Sequence, residues 1–353
     1  MLHRARIACV ALLTFALASG CAKNAGPPIT RIALVADAGG FADRSFNAAA
    51  SAGLSACAAH TGVEIERVAT ASPADYESKL AVLATRNFDM VIGVGASMAL
   101  DLEHVARRFE GTRFAILDAV VRQPNVDSIT FKEQDGSFLA GALAALVTRT
   151  KHVAFLGGAD VGRLRAAEAG FSAGAREVNS AVTVRDSFVG SFEDVARAKS
   201  AARALFAGGS DVVYVVAGRG GLGALAAAGE SGAGYAIGVD ADQDGVVPGK
   251  ILTSVVKRVD RAALRVCLEA LGQKPVSGHL EMGLGDGGIE LSNFRYTRRI
   301  VGSSNLQRLE RLRNAIAAGT LVVPATQSEL ARFKPVPLRA STPRRERSAA
   351  AAR

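Results

Sequence analysis

Short apolar runs alternate with amphipathic stretches of ten or more residues through most of this chain. That alternation constrains the fold more than any motif. Strands buried on both faces lose the in–out pattern of a half-exposed sheet, and helices must join and cover them. Strands are predicted at 31–35, 64–68, 90–94, 113–117 and 128–131, and again at 152–156, 183–188, 212–216, 235–239 and 251–254. Helices are predicted at 48–59, 73–85, 98–109, 137–150, 163–178, 192–206, 220–229 and 260–271. Two series of five strands predict an α/β chain of two doubly wound lobes with parallel sheets, in preference to one very wide sheet. The turn-rich stretch 283–288 breaks the pattern, and helices at 305–318 and 327–333 are expected to pack outside.

The 353 residues suffice for two cores, and 37 glycines suit tight strand–helix turns. The first twenty residues stand apart. Arg4 and Arg6 precede an apolar run over 7–17 and then Ala18-Ser19-Gly20-Cys21, the pattern of a secretory signal too short to span a bilayer. A cysteine after small residues marks Cys21 as a lipidation candidate. Ala18 stands where such sites prefer Leu, Val or Ile, so ordinary cleavage after Ala18 is the alternative. Residues 21–29 read as a flexible tether. The net charge is +9, but part of it lies in the signal and part in an Arg-rich tail, 336–353, expected to be disordered. The folded body is therefore expected to present ordinary surface charge, with no basic stripe for nucleic acid. Cys57 and Cys267, in helical stretches far apart, are expected to be buried thiols and not a disulfide framework. Five scattered histidines predict no metal site.

The candidate binding residues lie where strands end. Asp37, two glycines and Ser45-Phe46-Asn47 join the first strand to the first helix, at the edge where open α/β sheets hold ligands. Gly190-Ser191-Phe192 is expected to mirror that loop in the second series, with Ser191 and Phe192 opening a helix. Phe46 and Phe192 are then expected to clamp a flat ligand between two rings. Gly218, Gly220 and Gly223 match G-x-G-x-x-G between a strand and a helix, with Asp240 ending the next strand. That is the strongest sign of an enzyme using a nicotinamide cofactor. The glycines also suit a tight turn lining a cleft, which requires no cofactor. Asp240 is a candidate acceptor for a ribose diol, and Lys257 a candidate donor to its oxygens; a helix cap and a solvated face are the plainer roles for the two. Asp118, closing the run 113–117, joins the expected lining. Lys132-Glu133-Gln134-Asp135-Gly136 marks the passage between the series, with its acids read as caps and its glycine as a hinge.

Together, 37–47, 130–141, 190–194, 218–223, 237–243 and 253–260 resemble, in family order, the basic membrane protein family, the purine nucleoside receptor A-like lipoproteins of ABC transporters. The resemblance runs from about Ile32 to Leu291 and departs near 163–171, where Ala167 stands in place of the family's usual aromatic. It implies a type I periplasmic-binding-protein fold, with two lobes joined by a three-strand hinge and closing on ligand. It implies residues 30–132 plus 256–283 as one lobe and 133–255 plus 284–335 as the other. It further implies that Phe46 and Phe192 sandwich a base, that Asp37 and Asn47 make first-lobe polar contacts, and that Asp240 and Lys257 hold ribose hydroxyls. The expected protein is a non-enzymatic, lipid-anchored monomer outside the inner membrane. It needs no cofactor and passes a purine nucleoside to an ABC permease and its ATPase. A sensor of the same fold for another flat heterocycle, such as a flavin, is the alternative.

Overall fold

The structure is a computed structural model that describes residues 31–42, 46–272 and 278–336. The expected signal, Cys21, the tether and all but the first residue of the basic tail lie outside the described residues. Twelve strands are described: β1 Arg31–Val35, β2 Glu64–Val68, β3 Met90–Val94, β4 Arg113–Leu117, β5 Val126–Phe131, β6 His152–Gly157, β7 Thr183–Phe188, β8 Val212–Val216, β9 Tyr235–Asp240, β10 Ile251–Lys257, β11 His279–Met282 and β12 Ile289–Leu291. The helices are α1 Phe46–Thr61, α2 Tyr76–Thr85, α3 Ala99–Arg108, α4 Glu133–Val147, α5 Gly162–Val178, α6 Val195–Ala207, α7 Gly221–Glu230, α8 Val259–Leu271, α9 Arg298–Val301, α10 Ser303–Ala317 and α11 Gln327–Arg332.

The strands form two six-stranded sheets of identical order, β11-β5-β4-β3-β1-β2 and β12-β10-β9-β8-β6-β7. Each is doubly wound, with its switch point beside the first strand of its series. Composition follows position. The central strands β3 and β8 are buried along their whole length, whereas the edge strands β2 and β7 carry charges that discourage pairing with other chains. The second sheet departs from the expected all-parallel form at one edge, where β12 runs antiparallel to β10. Neither β11 nor β12 carries a strand signal of its own, being three or four residues beside a turn-rich loop.

The chain crosses between lobes three times: from β5 into α4, from β10 into α8, and from β11 to β12. After the second crossing α8 packs on α1, so close that a Cβ on Gly53 would strike the carbonyl of Asp260. There Cys57 and Cys267 are joined in a disulfide, with Cα atoms 6.4 Å apart and 210 residues between them. The expectation of separate thiols fails because the return of the chain to the first lobe is a tertiary event. α4 begins four residues earlier than predicted, which places Glu133 in its first turn. α6 begins at Val195, with Asp194 accepting from the Arg197 N–H as its cap, so Phe192 belongs to the preceding loop and not to the helix. That loop follows β7, the counterpart of β2, whereas Phe46 opens the helix that follows β1. The two loops are therefore not topological twins.

Candidate functional site

The carboxyl ends of both sheets face one cleft, and Lys257 at the end of β10 is the hub of its polar contacts. Its Nζ donates to Glu133 at 2.8 Å and to both oxygens of Asp118 at 3.3 Å, and lies 3.8 Å from Asp240. Only 3% of its side chain is exposed. Asp118, just after β4, and Asp240, the last residue of β9, occupy matching places in the two sheets, and both hold left-handed backbone, at φ +70° and +67°. Asp tolerates that region better than most residues, yet the conformation still costs on the order of 1–3 kcal/mol at each position. The paired strain turns one carboxylate from each lobe toward the same ammonium.

Arg163, from the first turn of α5, lies 3.9 Å from both Asp118 and Glu133, with half its side chain exposed. Three carboxylates therefore face two cations. Burial raises the pKa of Asp118 despite the pull of Lys257, with Glu133 and Asp240 adding to the rise. Burial likewise raises Asp240. At Glu133 burial opposes ionisation, but the charge and hydrogen bond of Lys257, with Arg163, outweigh it and hold the group low. Lys257 is held in its charged form. Burial opposes that, and the carboxylates of Glu133, Asp118 and Asp240 prevail. Removing the ammonium would leave buried charge uncompensated, so the lysine organises the cleft as much as it contacts anything within it.

Three rings flank this cluster. Lys257 Nζ lies 5.0 Å from the centre of the Phe46 ring and 5.7 Å from that of Phe131. On the other side the Arg163 guanidinium lies 5.5 Å from the centre of the Phe192 ring. Phe192 is set by glycines: a Cβ on Gly158 would strike its ring, and one on Gly218 would crowd its Cβ at 3.3 Å. The Gly220 N–H donates to the Phe192 carbonyl at 2.7 Å. A Cβ on Gly223 would strike the carbonyl of Val195. The G-x-G-x-x-G run thus seats the Phe192 loop and brings α7 against α6. A cavity of about 300 Å³ is lined by Phe46, Asp240, Asp242, Lys257 and Asp260 among others.

Asp37 and Asn47 interlock. Asn47 Nδ2 donates to Asp37 Oδ1 at 2.8 Å, and the Asp37 N–H donates to Asn47 Oδ1 at 3.1 Å. The Gly39 N–H also donates to Asp37 Oδ1, at 2.9 Å. Asp37 Oδ2 faces Gly95, a residue at φ +94° whose Cβ would lie 3.2 Å away. This pair ties the end of β1 to the first turn of α1, which carries Phe46. Asp240 is steadied from behind: Gln243 accepts from the Val239 N–H at 3.0 Å, and buried Asp244 accepts from Ser254 and Ser292. Of the eight predicted binding residues, Asp37, Asp118, Asp240 and Lys257 lie at or just after strand ends, Phe192 and Gly218 lie in the connections that follow β7 and β8, and Phe46 and Asn47 open α1. Glu133 and Arg163 join the cluster unpredicted. The helix-cap role read for Glu133 concealed its tie to Lys257, and Arg163 carries no sequence signal beyond its place after β6.

The chain matches the family model for PnrA-like ABC transporter substrate-binding proteins over residues 29–327. It is 31% identical over 315 residues to the CD4+ T-cell-stimulating antigen of Listeria monocytogenes, covering 83% of this chain and 87% of that protein. It is 28% identical to the ABC transporter nucleoside-binding protein BmpA of Lactococcus lactis, covering 90% and 98%. Among solved structures, an ABC transporter solute-binding protein from Aeropyrum pernix superposes with a TM-score of 0.73 at 25% identity, over 86% of this chain and 95% of that one.

Proposed function

This chain belongs to the family of PnrA-like ABC transporter substrate-binding proteins, and on that premise we propose that it binds a purine nucleoside between its lobes. Its place is that of a transport binding protein, not an enzyme, and its type I fold supplies the cleft. The observation that carries the nucleoside reading is the cluster around Lys257, in which carboxylates from both lobes converge between two phenylalanines. Carboxylate oxygens accept from ribose hydroxyls, and the Phe46 and Phe192 rings offer stacking faces to a base. Asp118 and Asp240 are the proposed ribose acceptors. Lys257 fixes them and donates to ligand oxygens, while Asp37 and Asn47 brace the start of α1 beneath Phe46 and Gly218 seats the Phe192 loop. A relative named as nucleoside-binding supports the choice of ligand. The proposed protein is lipidated at Cys21, works outside the inner membrane, and delivers its ligand to a permease with its ATPase.

Calorimetric titration with nucleosides, free bases and flavins tests the reading. Nucleosides should bind more tightly than bases or flavins, and Phe46→Ala or Phe192→Ala should each weaken them about 5- to 100-fold, as expected for loss of one stack. Unchanged affinity in both variants would refute the clamp. Incorporation of labelled palmitate, abolished by Cys21→Ala, tests the anchor.

A further inference from the structure

We propose that the outer pole of the second lobe is a docking surface for membranes bearing anionic phospholipids. The surface is an open groove of about 700 Å³, lined by Arg295, Tyr296, Arg298, Arg299, Leu306 and Gln307 among others. It lies at the end of the lobe away from the cleft. Thr297 beside it donates to the carbonyl of Leu252, near the start of β10, and Lys257 is five residues on, about 17 Å along the strand.

The folded body is expected to carry ordinary surface charge, but its basic excess is concentrated in the segment that forms this pole. Residues 292–336 hold eight basic side chains against two acidic, whereas residues 31–291 carry a small net negative charge. Among the described residues no carboxylate pairs with Arg295, Arg298 or Arg299, although ion pairs tie up many other surface arginines. Arg295 instead lies over the ring of Tyr296. Tyr296 and Ile300, in the same short segment as these arginines, are 41% and 42% exposed. Arginine with tyrosine and an aliphatic side chain is the composition of a bilayer interface, where guanidiniums pair with phosphates and the apolar groups enter the headgroup layer.

The chain also leaves the described structure at this pole. The Val336 N–H donates to Glu177, and Arg308 donates to the Val178 carbonyl, both at the end of α5 remote from the cleft. The seventeen residues that follow add five arginines against one glutamate, charge of the same sign as the groove's. That composition suits an extended anionic plane better than a single small anion.

The test is vesicle flotation of the unlipidated full chain, carrying Cys21→Ser, with phosphatidylcholine alone and with phosphatidylcholine plus phosphatidylglycerol. Binding to neutral vesicles is subtracted. We expect a phosphatidylglycerol-dependent component that falls as salt rises. Arg295→Gln/Arg298→Gln/Arg299→Gln should lower it on the order of 100-fold, each charge near an anionic surface being worth roughly fivefold. Ligand affinity should not change. Equal binding of the native groove to both vesicle types would overturn the proposal. So would loss only on replacing the tail arginines, or capture of soluble polyglutamate with no binding to vesicles.

Discussion

The disulfide between Cys57 and Cys267 should decide the stability of the first lobe without touching recognition. It closes a loop of 210 residues, joining α1 to a helix that returns only after the second lobe has been built. In the chain-entropy account, a loop of that length restricts the unfolded ensemble by about 18 cal/mol/K, or about 5 kcal/mol at 25 °C. Measured losses on removing native disulfides run somewhat lower, so Cys57→Ala/Cys267→Ala should cost about 3–5 kcal/mol. Cys57 lies eleven residues along α1 from Phe46, roughly 16 Å at the helical rise, which places the link well away from the cleft. Ligand affinity should therefore stay within twofold of the parent. Urea unfolding followed by circular dichroism suits a chain without tryptophan, and reduced parent protein separates loss of the link from loss of buried atoms. Equal midpoints for oxidised parent, reduced parent and variant would refute the reasoning. A fall in affinity with unchanged stability would refute it from the other side.

Replacing Lys257 by Met should cost about 3–5 kcal/mol at pH 8, since three carboxylates lose their shared cation, and the loss should shrink toward pH 5 as they protonate. Equal losses at both pH values in denaturant titrations would count against the cluster. Asp135, at the first crossing, has its pKa raised to about 6, first by burial and then by Glu281 and Asp286 against the pull of Lys132. A raised carboxyl adds stability that is complete below about pH 4 and is lost as pH rises through 6, so Asp135→Asn should flatten the stability profile between pH 4 and 7 by up to about 3 kcal/mol. An unchanged slope would contradict it. Gly141→Val should unfold or strongly destabilise the second lobe, because its side chain would meet the carbonyl of Phe171 where α4 crosses α5. A variant melting within about a degree of the parent would show that the helices can part without cost.

Local physics made most of the fold legible in the chain. A strand buried on both faces must be apolar throughout, so runs such as Met90–Val94 and Val212–Val216 announce themselves without reference to any neighbour. The edge strand β12 escaped because three residues carry too little pattern and are held by pairing with β10 alone. The positions of Asp118 and Asp240 were legible for a similar reason: they close strands, and strand ends, where open α/β sheets form their crevice, can be counted along a sequence.

What the sequence determined by itself, then, was two series of βα units and the strand-end loops that border a cleft. Tertiary structure alone decided how those loops are wired. Lys257 meets Glu133 across 124 residues and Asp118 across 139, and Arg163 reaches Asp118 from the other lobe. Cys57 found Cys267 because α8 comes home to α1. The basic groove is the contrary case, since Arg295, Arg298 and Arg299 are neighbours in the chain and α10 adds Leu306 and Gln307 just beyond them. Backbone period and turn chemistry act over a few residues and are written locally. A charge network and a disulfide depend on distances that exist only after the chain has crossed between its lobes.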